Sequence, residues 1–152
     1  MLRTQLPDAL KSAMKGRQER AVSTIRLILA TLKDRDIAAR GKGNPDGISE
    51  DEIRQMLQNM IRQRRESIAL YEQGGRLELA QQEAEEITII ESFLPKQLNA
   101  AEIEQAAKTV IGELGASSIK DMGRTMATLK QRYAGQMDFG KAGAVVKGLL
   151  GG

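Results

Sequence analysis

Phe93-Leu94-Pro95-Lys96-Gln97-Leu98 is the stretch that decides how this chain folds. On either side of it apolar residues recur at helical spacing, and within it the pattern stops. Proline disfavours helical backbone in the residue before it, so the chain must turn at Leu94. The spacing predicts an all-α protein in two parts, an N-terminal helical hairpin domain over residues 1–94 and a C-terminal three-helix module over residues 95–152.

Upstream, one helix is expected from about Leu2 to Met14, with Leu6, Leu10 and Met14 on one face. Pro7 lies inside it, so its first turns are expected to fray, or the helix to begin nearer Pro7. A second helix from about Glu19 to Ala39 turns Val22, Ile25, Leu29 and Leu32 inward, and residues 41–47 read as a loop. Ser49 and Glu52 have capping-box spacing and open a third helix, which stops at Gly74-Gly75. Its antiparallel partner, from about Leu77 to Phe93, uses Ala80, Ala84, Ile87 and Ile90. Downstream, Asn99 and Glu102 restart a helix carrying Ile103, Val110, Ile111 and Leu114. Ser117 or Ser118 caps the next, with Met122, Met126 and Leu129 inward. Asp138 caps the last, with Val145, Val146, Leu149 and Leu150 inward.

At 152 residues the chain is one large domain or two small ones. Its only aromatic residues are Tyr71, Tyr133, Phe93 and Phe139, so the core is aliphatic and rich in methionine, which suits helix packing. With no Cys and no His, thiolate nucleophiles, imidazole bases, disulfides and structural zinc sites are excluded. Neither a signal peptide nor a stretch of transmembrane length is evident, and a cytoplasmic protein is expected. The net charge of +3 names no partner by itself. Residues 1–42 hold ten Lys/Arg against four Asp/Glu, residues 43–98 six against eleven, and residues 99–152 seven against five. Basic ends around an acidic middle fit nucleic-acid contact, or simply a helical protein with mixed faces; charge alone favours the second.

Several local groups invite a chemical reading. Ser117-Ser118-Ile119-Lys120 has the residue types of a serine nucleophile with a lysine base, but Ser followed by Asp121 before an apolar run is more simply a helix cap. Glu83, Glu85 and Glu86, with Glu78 nearby, are expected to form a solvated helix face and no metal site. Gly41-Lys42-Gly43 lacks the spacing of a phosphate-binding loop. Arg62, Arg64 and Arg65 either grip phosphate or pair with acids, and the acidic neighbouring helix favours pairing. In the tail, Lys120, Arg124, Lys130, Arg132, Lys141 and Lys147 are the better phosphate-binding candidates, evenly balanced against a solvated face. Gly123, Gly140 and Gly143 let backbones approach closely, and helix–helix packing is the expected use of Gly123 and Gly143.

The hinge, the following Ala101-Glu102-Ile103, and the stretch from Asp121-Met122-Gly123-Arg124-Thr125-Met126 to Lys147-Gly148-Leu149-Leu150 resemble the GatB/YqeY family of small bacterial proteins. The likeness extends to Arg26-Leu27-Ile28-Leu29 and to Arg64-Arg65-Glu66-Ser67-Ile68. It implies a helical domain followed by a tail like the one ending the B subunit of tRNA-dependent amidotransferases. There the subunit feeds ammonia from glutamine onto mischarged tRNA, and the tail helps to hold the tRNA. Similar tails on some glutaminyl-tRNA synthetases serve tRNA affinity. The amidotransferase's catalytic cradle and metal site have no counterpart here, so a label of carbon–nitrogen ligase with glutamine as amido donor would be inherited from the larger enzyme. An Asn-Pro pair often seen before the last helix is replaced by Met137-Asp138-Phe139-Gly140.

The expectation is a tRNA-binding accessory protein of translation, not catalytic alone, using the six tail bases and no cofactor or metal. No membrane or DNA partner is expected. The rival is a protein–protein adaptor that docks on an aminoacyl-tRNA synthetase or amidotransferase through the acidic middle. An amide-transfer enzyme comes third, for want of any legible nucleophile setting.

Overall fold

The helical spacing is realised as seven α-helices in the computed structural model, which describes residues 1–151. They are α1 (Leu2–Lys15), α2 (Glu19–Gly41), α3 (Glu50–Gln73), α4 (Leu77–Glu91), α5 (Ala100–Leu114), α6 (Met122–Arg132) and α7 (Phe139–Gly151), with a single 3-10 turn at Ile119–Asp121. No strand occurs among the described residues. Two compact units result, Met1–Leu94 and Pro95–Gly152.

The first unit is two helical hairpins, α1–α2 and α3–α4, around a core that includes Leu6, Ile28, Ile53, Met56, Leu57 and Ile90. Contrary to the expected fraying, α1 begins well before Pro7. Its first turn is held from outside: the Leu2 amide donates to Glu50 Oε1 at 2.9 Å, and the Arg3 guanidinium forks onto both Asp36 oxygens at 2.8 Å. These contacts, with Leu2 and Leu6 buried, offset the bond that proline removes. Met14 is also corrected: it is 51% exposed, and Ala13 takes the buried place at 3%. From Leu6, eight residues drift about 80° around the helix, whereas seven fall only about 20° short of two turns. In α2 the same drift makes Ile28 fully buried and leaves Leu29 half-buried at the core's edge.

Asp36 is buried and ties α1, α2 and the α2–α3 loop together. Besides Arg3, its Oδ1 accepts from the Ile48 amide at 2.9 Å, and Arg3 Nη2 donates to the Ile48 carbonyl at 2.8 Å. The hydrogen-bonded Arg3 guanidinium brings the Asp36 carboxyl down to about 2. Gly47 sits against this carboxylate at φ 81°; a Cβ there would come within 2.7 Å of Asp36 Cγ. The Ser49–Glu52 capping box forms, with both bonds at 3.1 Å. Between α3 and α4 the reversal falls on Gly75 at φ 73°, the left-handed conformation that glycine adopts without steric cost.

In the second unit, α5, α6 and α7 enclose Ile103, Ala107, Val110, Leu129 and Val146. The linker is bolted to this unit: Gln97 Nε2 donates to the Gly135 carbonyl, and the Leu98 amide to the Gln136 carbonyl at 2.8 Å. Asn99 and Glu102 form a second capping box, and Asp138 Oδ1 accepts the Gly140 amide at 2.8 Å to cap α7. Leu149, expected inward, is 38% exposed, because Ala142 and Val146 define the buried line of α7.

Candidate RNA-contact surface

All six tail bases are exposed: Lys120 in the 3-10 turn, Arg124, Lys130 and Arg132 on α6, and Lys141 and Lys147 on α7. The folded tail splits them by partner. Arg132 Nη1 lies 2.6 Å from Glu113 Oε2 on α5. Arg124 places Nε and Nη2 each 3.0 Å from Asp121 Oδ1. The other Asp121 oxygen accepts the Ser117 amide at 2.9 Å and the Ser118 amide at 3.3 Å. The Ser117 bond, then the Ser118 and Arg124 bonds, hold the Asp121 carboxyl below its ordinary range. Arg124 therefore closes a turn. Lys120, Lys130, Lys141 and Lys147 form no ion pair with any described residue.

Their placement follows from the buried line of α6, set by Thr125 and Leu129. The methionine flank of α6 faces α7: a Cβ on Gly143 would lie 3.8 Å from Met122 Cε and 3.9 Å from Met126 Cε. Lys130, four residues past Met126, continues that flank. Arg132 lies about 200° further round, on the flank facing α5, so the α6 bases do not form one patch. On α7, Lys147 is four residues from both Gly143 and Gly151, which turn toward Met122 and Ile119 respectively. Lys130 and Lys147 thus border the α6–α7 seam, and Lys120, next to Ile119, stands at its end. Lys141 points away from the buried line.

Ser118 begins the 3-10 turn and not α6, whose N-cap is Asp121; the Asp121 carboxylate accepts the amides of Ser117 and Ser118, and Lys120 is too exposed to serve as a desolvated base. Gly143 packs at ordinary contact distance. Gly123, expected to pack, has open space where a Cβ would be. The acids of α4 mostly meet arginines. Arg64, 8% exposed, sets Nε 3.0 Å from Glu86 and 4.0 Å from Glu83, and Nη1 donates to the Met60 carbonyl at 3.2 Å. Burial, then the Glu86 charge, raises the Glu83 carboxyl. Glu85 pairs with Arg20, and Glu91 with Arg65. Among the described residues no three acids converge on a metal position. Nor is any described helix long and apolar enough to cross a membrane.

Sequence reasoning passed over Arg26 and Lys33 as candidates. Both are exposed on α2 and carry no ion pair among the described residues. The signal was present in their seven-residue spacing, which keeps them on one stripe.

Over 103 residues, 68% of its length, the chain is 32% identical to Altered inheritance of mitochondria protein 41, mitochondrial, of Lachancea thermotolerans, covering 53% of that protein. The protein of the same name from Eremothecium gossypii is 31% identical over 103 residues, with 68% of this chain and 54% of the relative covered. The chain spans about half the length of these curated relatives. A protein-family model described as Yqey-like protein matches residues 3–150, through both units, and the chain belongs to that family.

Proposed function

We propose that this chain is a tRNA-binding accessory protein of translation, without catalytic action of its own, working in the cytoplasm. It holds RNA through the tail lysines Lys120, Lys130, Lys141 and Lys147. The observation that carries the reading is that these four are exposed and unneutralised while the tail's two arginines are tied to Asp121 and Glu113. Phosphate contact needs cations free to displace counterions, and exposed lysines without an ion-pair partner among the described residues meet that need. The resemblance of the tail to the end of the amidotransferase B subunit favours RNA as the partner. Such binding reads shape and backbone, not base sequence.

A second reading, docking on an aminoacyl-tRNA synthetase or amidotransferase, draws on one observation: Leu70 and Leu77, 68% and 66% exposed, flank the Gly74-Gly75 tip of the α3–α4 hairpin. The acidic middle supports it less, since Glu83, Glu85, Glu86 and Glu91 are engaged by arginines of the same unit.

The test is binding of total tRNA by the parent chain and by a Lys130→Glu/Lys141→Glu/Lys147→Glu variant. Arg124 is left alone, because a glutamate beside Asp121 would open the turn. The expected result is weak, salt-sensitive binding by the parent and a loss of at least tenfold in the folded variant. Equal binding by both would remove the tail from the account.

A further inference from the structure

We infer that the outer face of the α1–α2 hairpin is a second, separate phosphate-contact surface, fitted to the backbone of folded, base-paired RNA. It takes its ligand class from the tRNA-binding reading above, but its residues are independent of the tail.

The hairpin's register is pinned at both ends. Arg3 of α1 reaches Asp36 of α2, and at the other end Met14 and Arg17 line one open groove with Glu19, Val22, Ser23 and Arg26. The helices run antiparallel between these points. Lys11 on α1 falls between Arg26 and Lys33 along the hairpin, on the side of α1 opposite its buried Leu2–Leu6–Ala13 line. Arg26 and Lys33 are two turns apart, separated by about 10 Å and only about 20°. Arg17, Arg26, Lys11 and Lys33 therefore form a ladder of cations along one face. All four are exposed, and none has an ion-pair partner among the described residues. Glu19, in the first turn of α2 where the helix dipole favours an acid, is the carboxylate of the groove.

The turn adds an independent observation. Arg17 has φ 54°, the one non-glycine residue at positive φ among those described. Its amide donates to the Met14 carbonyl, and the Gln18 amide to the Ala13 carbonyl, a helix ending that normally places glycine where Arg17 stands. The available glycine, Gly16, sits one residue early at φ −81°. A cation is thus held at a strained position beside the other cations, the pattern expected where charge at that point is used.

Chemistry selects the ligand. The first aromatic residue of the chain is Tyr71. This face has no ring on which unpaired bases could stack, and no aromatic anchor for a lipid interface. Cations spaced along a rigid hairpin suit the phosphates of a double helix.

The experiment uses the full-length protein and a Lys11→Gln/Arg26→Gln/Lys33→Gln variant, with a Lys11→Arg/Lys33→Arg variant as charge control and helicity checked by circular dichroism. Binding is measured to tRNA, to a single-stranded RNA of equal length, and to phosphatidylserine vesicles. For tRNA, the glutamine variant should bind about tenfold more weakly or worse, and its log K against log salt slope should be shallower by about 2 to 3. The arginine variant should match the parent, and single strands and vesicles should bind more weakly than tRNA. If the glutamine variant binds tRNA like the parent while the tail variant does not, this surface is refuted and the tail reading stands. If the parent binds no RNA, both fall. Vesicles or single strands bound more tightly than tRNA would overturn the ligand class.

Discussion

The two units spend their charged residues differently. In the first, Arg3, Arg20, Arg54, Arg64 and Arg65 all pair with carboxylates, and two of the charges, Arg64 and Asp36, are buried. Among the described residues of the tail no charged residue is buried, and the one buried polar residue, Thr125, bonds back to the Asp121 carbonyl at 2.8 Å. Its lysines are left to solvent. Buried charge is part of the architecture in the first unit, and the described residues of the tail keep all of theirs at the surface. Removing the buried, paired Arg64 should therefore destabilise the first unit, whereas changing an unpaired tail lysine should merely discharge the surface.

The largest expected effect is at Arg64. Arg64→Ala strands Glu86 and Glu83 without their counter-ion, and urea denaturation should show a loss of about 3 to 5 kcal/mol. Lys130→Ala or Lys147→Ala should each fall within about 0.5 kcal/mol of the parent. Comparable losses at the tail lysines would break the contrast.

Glycines sharpen it next. Gly47→Ala forces a methyl into the Asp36 carboxylate at positive φ and should cost roughly 2 to 3 kcal/mol, measured as a fall in urea midpoint. Gly143→Ala places its methyl at ordinary contact distance inside a helix, so it should be neutral or stabilise by up to about 1 kcal/mol.

Acid probes the same strap. The Asp36 carboxyl is depressed in the folded state, to about 2 from 3.8, so its stabilisation is fully present above pH 4 and is lost as pH falls from about 4 toward 2. That amounts to about 2 kcal/mol. Asp36→Asn should flatten this part of the stability–pH curve, and an unchanged acid limb would show that the strap is not holding α1. The smallest effect is at the α1–α2 turn. Arg17→Gly should stabilise by about 0.5 to 1 kcal/mol through relief of the left-handed backbone, while weakening tRNA binding. Stability and affinity moving in the same direction would contradict the role given to this residue.

What the sequence revealed was mostly local. The capping box at Ser49, the helix start at Asn99, the Gly74-Gly75 reversal and the interruption of helix around Pro95 depend on residues a few positions apart, and each forms as read. The Arg3–Asp36 fork spans 33 residues and was invisible, because α1's proline argued for fraying and nothing nearby argued against it. Met137, nearly fully buried in a loop, has no periodicity to betray it. For the candidate surface, the residue types and their exposure were legible. Their separation into paired arginines and unpaired lysines was not, since the Arg132 partner, Glu113, lies on another helix.

The central claim is that unpaired tail lysines contact tRNA phosphates, and the salt dependence of binding tests it most directly. The slope of log K against log salt should be measured for the parent and for a Lys120→Gln/Lys130→Gln/Lys141→Gln/Lys147→Gln variant that remains fully helical. At about 0.7 to 0.9 per phosphate released, the variant's slope should be shallower by about 3, with affinity reduced at every salt concentration. Equal slopes and equal affinities in parent and variant would contradict the account.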